Sequence, residues 1–227
     1  MGSHMYEDSV KQWSCYVGCN YHCEYCEKSF RLQMKRQLHN CIQCYNYTPH
    51  FHPERLTQQL PRTQGDEFIW ACSSSDITFA KQEWIEAILK RVRQLPDRTF
   101  LFQTKNPICF KRYSWPSNTV LDVTIETNED EGYRLVSTAP LPSVRYRDYL
   151  KIKHPRKFVT IEPILEFDMA VLVEWMRNIH PERVYLGYDS KKTDLPEPEL
   201  AKTRELKKRL EKFTKVKLKE MRKAWWE

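Results

Sequence analysis

Phe68-Ile69-Trp70-Ala71-Cys72-Ser73 and Thr99-Phe100-Leu101-Phe102-Gln103-Thr104 are two short apolar runs, and between them residues 81–95 repeat their apolar positions at helical spacing. Strand, helix, strand within about 35 residues is the pattern of a parallel β/α unit. Working outward, the same alternation recurs. Further strands are predicted over 10–17, 120–126 (VLDVTIE), 157–162 (KFVTIE) and 183–188 (RVYLGY), with helices over 27–38, 107–113, 143–153, 168–179 and 197–213. Asp168 is a good N-cap, and Val171, Leu172, Trp175, Met176 and Ile179 follow it at helical spacing. Residues 215–220 alternate Val216 and Leu218 with lysines, as an edge strand does. Six β/α units are too few for a closed eight-unit barrel. The predicted fold is therefore α/β, a partial (β/α)6 TIM-like barrel, formed as a single domain over residues 6–227. Residues 1–5 (MGSHM) read as a cloning remnant.

The 227 residues are 41% hydrophobic and 30% charged, which excludes a disordered or collagenous chain. No apolar run approaches the roughly 18 to 20 residues that span a bilayer, and no secretory signal is visible, so no membrane partner is expected and a cytoplasmic location is. Lys and Arg exceed Asp and Glu by 37 to 30, a net charge of +7 that suits an anionic partner. Basic residues concentrate over 28–36, 151–157 and 202–223, the last mixed with Phe213 and followed by Trp225 and Trp226. Cations interleaved with rings suit nucleic acid, whereas Glu205 and Glu211 among them suit a solvated helix face. The two tryptophans are read as a cap on the open bottom of the barrel.

Polar residues gather where the predicted strands end: Ser73, Ser74, Ser75 and Asp76 after the second, Thr104 and Lys105 at the third, Glu126 at the fourth, Glu162 at the fifth. In a parallel barrel these ends share one rim, where ligands bind. The eight cysteines add to this. With no export signal, metal binding or redox chemistry is a better reading of them than a disulfide framework. Cys19, Cys23 and Cys26 form a C-x3-C-x2-C run directly after the first strand, on that same rim. Three thiolates so spaced can ligate three irons of a cubane and leave the fourth open to a substrate or cofactor. A zinc site or buried free thiols are the competing readings.

The run resembles the signature of the radical S-adenosylmethionine (SAM) superfamily, in which an aromatic residue precedes the last cysteine, as Tyr25 precedes Cys26 here. That resemblance implies a [4Fe–4S] cluster on Cys19, Cys23 and Cys26, with SAM chelated at the free iron and cleaved reductively to a 5′-deoxyadenosyl radical. It implies a radical SAM enzyme fed by an electron donor such as ferredoxin or flavodoxin. It also implies cofactor-binding roles for Ser73, Ser74, Ser75, Asp76, Thr104, Lys105, Glu126 and Glu162, with Tyr25 near the adenine. The usual motif after strand two is glycine-rich with an acid; here it is serine-rich, and Asp76 offers the acid. His52-Pro53-Glu54-Arg55-Leu56, Phe102-Gln103-Thr104-Lys105-Asn106-Pro107, Val123-Thr124-Ile125-Glu126 and Phe158-Val159-Thr160-Ile161-Glu162-Pro163 together look like an uncharacterised phage-associated and archaeal family of small radical-SAM-like proteins. The expected fold is thus the radical SAM type of half-barrel. Nucleic acid is one expected substrate; a radical enzyme for a peptide or protein, and a non-enzymatic, metal-stapled nucleic-acid-binding protein, are the alternatives.

Cys41 and Cys44 form a separate C-x2-C in a long insert, about residues 39–66, after the first helix. A loop of that length is usually functional or metal-stapled. Zinc is the leading reading, completed by some of Cys15, His39, His50 and His52; a second iron–sulfur cluster and no metal are the others. Cys72 and Cys109 read as packing residues.

Overall fold

The structure is a computed structural model that describes residues 6–190 and 193–227; the expected cloning remnant lies outside the described residues. Strand β1 (Ser9–Trp13) leads into β2 (Tyr16–Val17), which pairs antiparallel with β3 (His50–Phe51) in a small sheet of its own. The large sheet takes β1 and then β4 (Phe68–Ala71), β5 (Phe100–Thr104), β6 (Thr119–Thr124), β7 (Lys157–Ile161), β8 (Arg183–Leu186) and β9 (Lys215–Leu218), all parallel and each hydrogen-bonded to the next. β1 pairs with β4 and β9 with β8, but not with each other, so the curled sheet is an open half-barrel. The expectation of a partial barrel holds, and the edge strand expected over 215–220 forms as β9, the seventh strand of the large sheet. One correction is needed: the predicted strand 10–17 breaks after Trp13, where the chain leaves the large sheet for β3.

The segment between β2 and β3 holds three short helical turns: α1 (Glu24–Glu27), α2 (Phe30–Met34) and α3 (Ile42–Asn46). A single helix over 27–38 does not form. Neither α1 nor α2 fully buries a residue; the packed stripe of α2 is just Phe30 and Met34, partly buried against Val17, Cys44 and Tyr47, and Ser29 at φ −129°, ψ −82° interrupts the helix. The later helices do have such stripes. α4 (Gln82–Arg93) buries Ile85, Ile88, Leu89 and Val92, and α5 (Pro142–Leu150) opens on a proline at a position with no N–H to lose. α6 (Met169–Ile179) is capped by Asp168, whose carboxylate accepts from the Val171 N–H at 2.9 Å. α7 (Leu200–Leu210) buries Thr203, Leu206 and Leu210.

Because the strands are covered on both faces, they read as nearly continuous apolar runs. Ile69, Phe100, Phe102, Leu121, Val159 and Val184 pack with the helices; Phe68, Trp70, Leu101, Val120, Phe158 and Tyr185 line the concave face. Tyr6 plugs that concavity. It is fully buried, sits edge-on to Trp70 (4.9 Å) and Tyr185 (4.6 Å), and hydrogen-bonds Asp122 (3.1 Å) and Thr160 (2.9 Å). Side chains span the gap that the backbone leaves open: Lys217 reaches Glu7 (3.0 Å) and Asp8 (3.3 Å), and Lys215 pairs with Asp66. The terminal tryptophans are not at the bottom. Trp225 and Trp226 donate to the carbonyls of Leu195 and Glu197, beyond the carboxyl end of β8. No helix among the described residues is long and apolar enough to cross a membrane.

A cysteine loop and a buried ion network at the carboxyl rim

All large-sheet strands run the same way, so the loops after β1, β4, β5, β6 and β7 meet on one rim. Gly18 fixes the start of the cysteine loop there. Its N–H donates to the Ser74 carbonyl (3.0 Å), it bridges Ser75, and its φ is +110°. A Cβ at this position would lie 2.5 Å from Pro49 N and Thr48 C, so only glycine fits. Cys19 therefore leaves a backbone held between the serine loop and the insert. Cys23 opens α1 and Cys26 lies on it, and both pack with Cys19 around Tyr21, Tyr25, Phe79 and Ala139. Ser137 Oγ is 3.1 Å from Cys23 Sγ. A hydrogen bond from Cys26, helped by Lys105 and Ser137 against the effect of burial, brings the Cys23 thiol down to about 6. Burial pushes Cys19 up. All eight cysteines are free.

Beside this loop, Glu126 is fully buried at the centre of an ion network. Its Oε1 accepts from Tyr25 Oη (2.5 Å), Tyr133 Oη (3.1 Å) and Lys105 Nζ, and its Oε2 from Arg145 Nη1 (2.5 Å). Burial alone would raise the Glu126 carboxyl, yet the Arg145 and Lys105 charges hold it well below the usual carboxylate range. Lys105 also stands over the Tyr25 ring, 5.1 Å from its centre. Asp76 is engaged on both oxygens: Oδ1 accepts from Thr78 N (3.0 Å) and Thr104 Oγ1 (2.7 Å), Oδ2 from Lys105 N (2.7 Å). Of the serine loop, Ser73 lies 2.7 Å and Ser74 3.1 Å from Ser14 Oγ, while Ser75 donates to the Cys72 carbonyl (2.9 Å).

The structure thus gathers Cys19, Cys23, Cys26, Tyr25, Lys105 and Glu126 in one place and lays Ser73, Ser74, Ser75, Asp76 and Thr104 beside it. Glu162, just after β7, pairs with Lys219 from the segment after β9 and also feels the Lys105 charge. Three residues of this site carry no sequence signal. Arg145 lies on the helix predicted over 143–153, where nothing in the sequence singles it out, and Tyr133 and Ser137 lie between the predicted elements; only folding brings them to Glu126 and Cys23.

The second cysteine pair also finds partners. Cys41, Cys44, His50 and His52 place one ligand atom each within 4.8 Å of one another, the one such group among the described residues. His39 is not in it. Cys15 is buried in the main core, where its carbonyl accepts from the His52 N–H (2.7 Å). Cys72 and Cys109 are core residues, as expected. The basic run 202–223 is largely matched internally: Lys202 with Glu166, Lys207 with Glu211, Arg209 with Glu205, Lys219 with Glu162 and Arg222 with Glu197.

Fold and site define a parallel α/β half-barrel with a three-cysteine loop on its carboxyl rim and a Cys2His2 group in the adjoining insert. The chain belongs to the family described as "Protein of unknown function (DUF5131)", which matches residues 6–176. No curated protein matches it. Among solved structures, its fold is similar to that of Streptococcus suis SuiB, crystallised with the precursor peptide SuiA, at a TM-score of 0.55 and 8% identity. The likeness covers 96% of this chain and 50% of SuiB, so the chain spans about half of that protein's length. At that identity the fold is what the two share.

Proposed function

We propose that this protein is a radical SAM enzyme. The observation that carries the reading is the C-x3-C-x2-C loop at the carboxyl rim of a parallel half-barrel, with three free thiols packed in one cluster. Cys19, Cys23 and Cys26 are the proposed ligands of a [4Fe–4S] cluster with one iron open to SAM. When bound, that pair supplies reductive cleavage of the sulfonium and a 5′-deoxyadenosyl radical that takes hydrogen from a substrate. The proposed SAM contacts are Tyr25, Ser73, Ser74, Ser75, Asp76, Thr104, Lys105, Glu126 and Glu162. Within that set the roles divide. Asp76 spends its oxygens on Thr104 and the Lys105 backbone, which makes it a positioning residue. Lys105 and Glu126 bring one cation and one acceptor to the buried side of the cysteine loop, with Arg145 and Tyr133 fixing the carboxylate.

SuiB was solved with a precursor peptide, and this supports a peptide or protein substrate. A nucleic-acid substrate is the second reading; with most of the 202–223 cations in ion pairs, it rests on Lys28, Lys35 and Arg36, which follow the cysteine loop in the chain. Ferredoxin or flavodoxin is the proposed electron donor, and free thiols beside an oxidisable cluster suit the cytoplasm. The test is formation of 5′-deoxyadenosine when SAM and dithionite are added to anaerobically reconstituted protein. Production no higher than in Cys23→Ala sinks the proposal and leaves the non-enzymatic binding module, whose mark is nucleic-acid affinity that survives loss of the cluster.

A further inference from the structure

The insert carries a second piece of chemistry that the rim reading does not use. Cys41 is the N-cap of α3, which places Cys41 and Cys44 three residues apart on one side of the first turn. β3 and the residue after it bring His50 and His52 to the same point. Cys44 and His50 are buried, with Cys41 and His52 partly so. The Nε2 of His50 is 3.5 Å from Cys41 Sγ and 3.3 Å from Cys44 Sγ; that of His52 is 3.2 Å from Cys44 Sγ.

The outer hydrogen bonds decide what these rings offer. His50 Nδ1 lies 2.7 Å from the Thr48 carbonyl, and His52 Nδ1 lies 2.8 Å from the Glu54 carboxylate. Both partners only accept, so each Nδ1 is assigned as the protonated nitrogen and each Nε2 presents its lone pair. Those two lone pairs face each other at 2.7 Å. Two acceptors at that distance repel unless a cation lies between them and the sulfurs. A ring oriented by a carbonyl or a carboxylate, with its other nitrogen turned to a common point, is also the usual second shell of a histidine bound to metal.

We propose that Cys41, Cys44, His50 and His52 bind one zinc ion in a closed, four-ligand structural site. With bonds of about 2.3 Å to sulfur and 2.0–2.1 Å to nitrogen, a tetrahedral zinc sets its ligand atoms roughly 3.3 to 3.8 Å apart, close to the sulfur–nitrogen spacings of 3.5, 3.3 and 3.2 Å, and would part the two Nε2 atoms from 2.7 Å. A multi-iron cluster needs its ligands on different metal atoms, and this group is too tight for one. Two thiolates and Zn2+ are also neutral together, which burial favours. All four ligands are protein groups, which leaves no open position and assigns the ion to holding the fold. What it holds is specific. It ties α3 to β3, and β3 to β2 by their antiparallel pairing, and it keeps Thr48 and Pro49 against Gly18, where the cysteine loop begins. Zinc binding here does not depend on SAM chemistry at the rim.

The test is metal analysis of the full chain, purified without chelator from zinc-supplemented cells. About one zinc per chain is expected, falling at least about tenfold in the Cys41→Ser/Cys44→Ser double variant. The Cys19→Ala/Cys23→Ala/Cys26→Ala variant should keep its zinc while losing iron. Zinc absent from the unmodified chain, or lost with the rim cysteines, overturns the assignment. Should the double variant fail to fold, Co2+ uptake by the Cys19→Ala/Cys23→Ala/Cys26→Ala variant, which lacks the rim thiols, decides. Intense tetrahedral d–d bands with sulfur-to-cobalt charge transfer, both displaced by Zn2+, support the site; a weak octahedral spectrum refutes it.

Discussion

Asp122 lies on the concave face of the half-barrel, beneath the rim, and is fully buried. Its Oδ2 accepts from Tyr6 (3.1 Å) and Thr160 (2.9 Å), while its Oδ1 has no partner. Burial raises this carboxyl from 3.8 to about 7, against the lowering effect of Thr160, Tyr6 and the more distant Lys105 charge. The folded chain therefore binds the proton more tightly than the unfolded one. Stability from this group is fully present below about 3.8 and is lost as pH climbs towards 7, a total of about 4 kcal/mol at 1.36 kcal/mol per pKa unit. Asp122→Asn removes the titration and keeps an oxygen for Tyr6 and Thr160. The unpaired amide costs something, but equally at every pH. Other groups titrate alike in both proteins, so they cancel in the difference. Urea unfolding at about pH 5.5 and about pH 8 should show the variant gaining about 2 kcal/mol on the wild type between the two, with unchanged m-values. A pH-independent difference would refute the reasoning, because it would mean that Asp122 ionises near its ordinary value and that the plugged concavity is wet.

Two further substitutions probe the framework of the rim. Glu126→Gln leaves the fully buried Arg145 without a counter-charge and should cost about 3 to 5 kcal/mol in urea or thermal unfolding; a loss below about 1 kcal/mol would show that Arg145 has water or another partner. Adding Arg145→Met should recover part of that loss, because it removes the stranded charge. Gly18→Ala combines a φ of +110° with a Cβ inside the Thr48–Pro49 backbone. It should cost at least about 2 kcal/mol and lower the protection of the β2–β3 amides in hydrogen exchange; unchanged protection would contradict the packing.

Which elements were legible follows from how local their causes are. The strands at 68–73, 99–104 and 157–162 and the helix capped by Asp168 are set by side-chain period and cap chemistry within a few residues, and they form nearly where expected. The helix expected over 27–38 had charge and propensity but a packed face of only Phe30 and Met34, and it broke into turns. The strand over 10–17 split because β2 takes its partner from the insert, pairing Tyr16 with Phe51 and Val17 with His50, which no local pattern announces.

The sites divide in the same way. Spacing alone marks Cys19, Cys23 and Cys26, since ligands for one cluster lie on one short loop, and marks Cys41 and Cys44 for the same reason. The sequence by itself determined a parallel α/β chain with polar strand ends and two cysteine motifs, because periodicity and ligand spacing are short-range properties. Only the tertiary structure decided that His50 and His52, rather than Cys15 or His39, complete the second group, that Arg145 and Tyr133 hold Glu126, and that Tyr6 fills the barrel. Those contacts join residues brought together by the curl of the sheet and by the path of the insert, and burial, which sets their electrostatics, exists once the chain is folded.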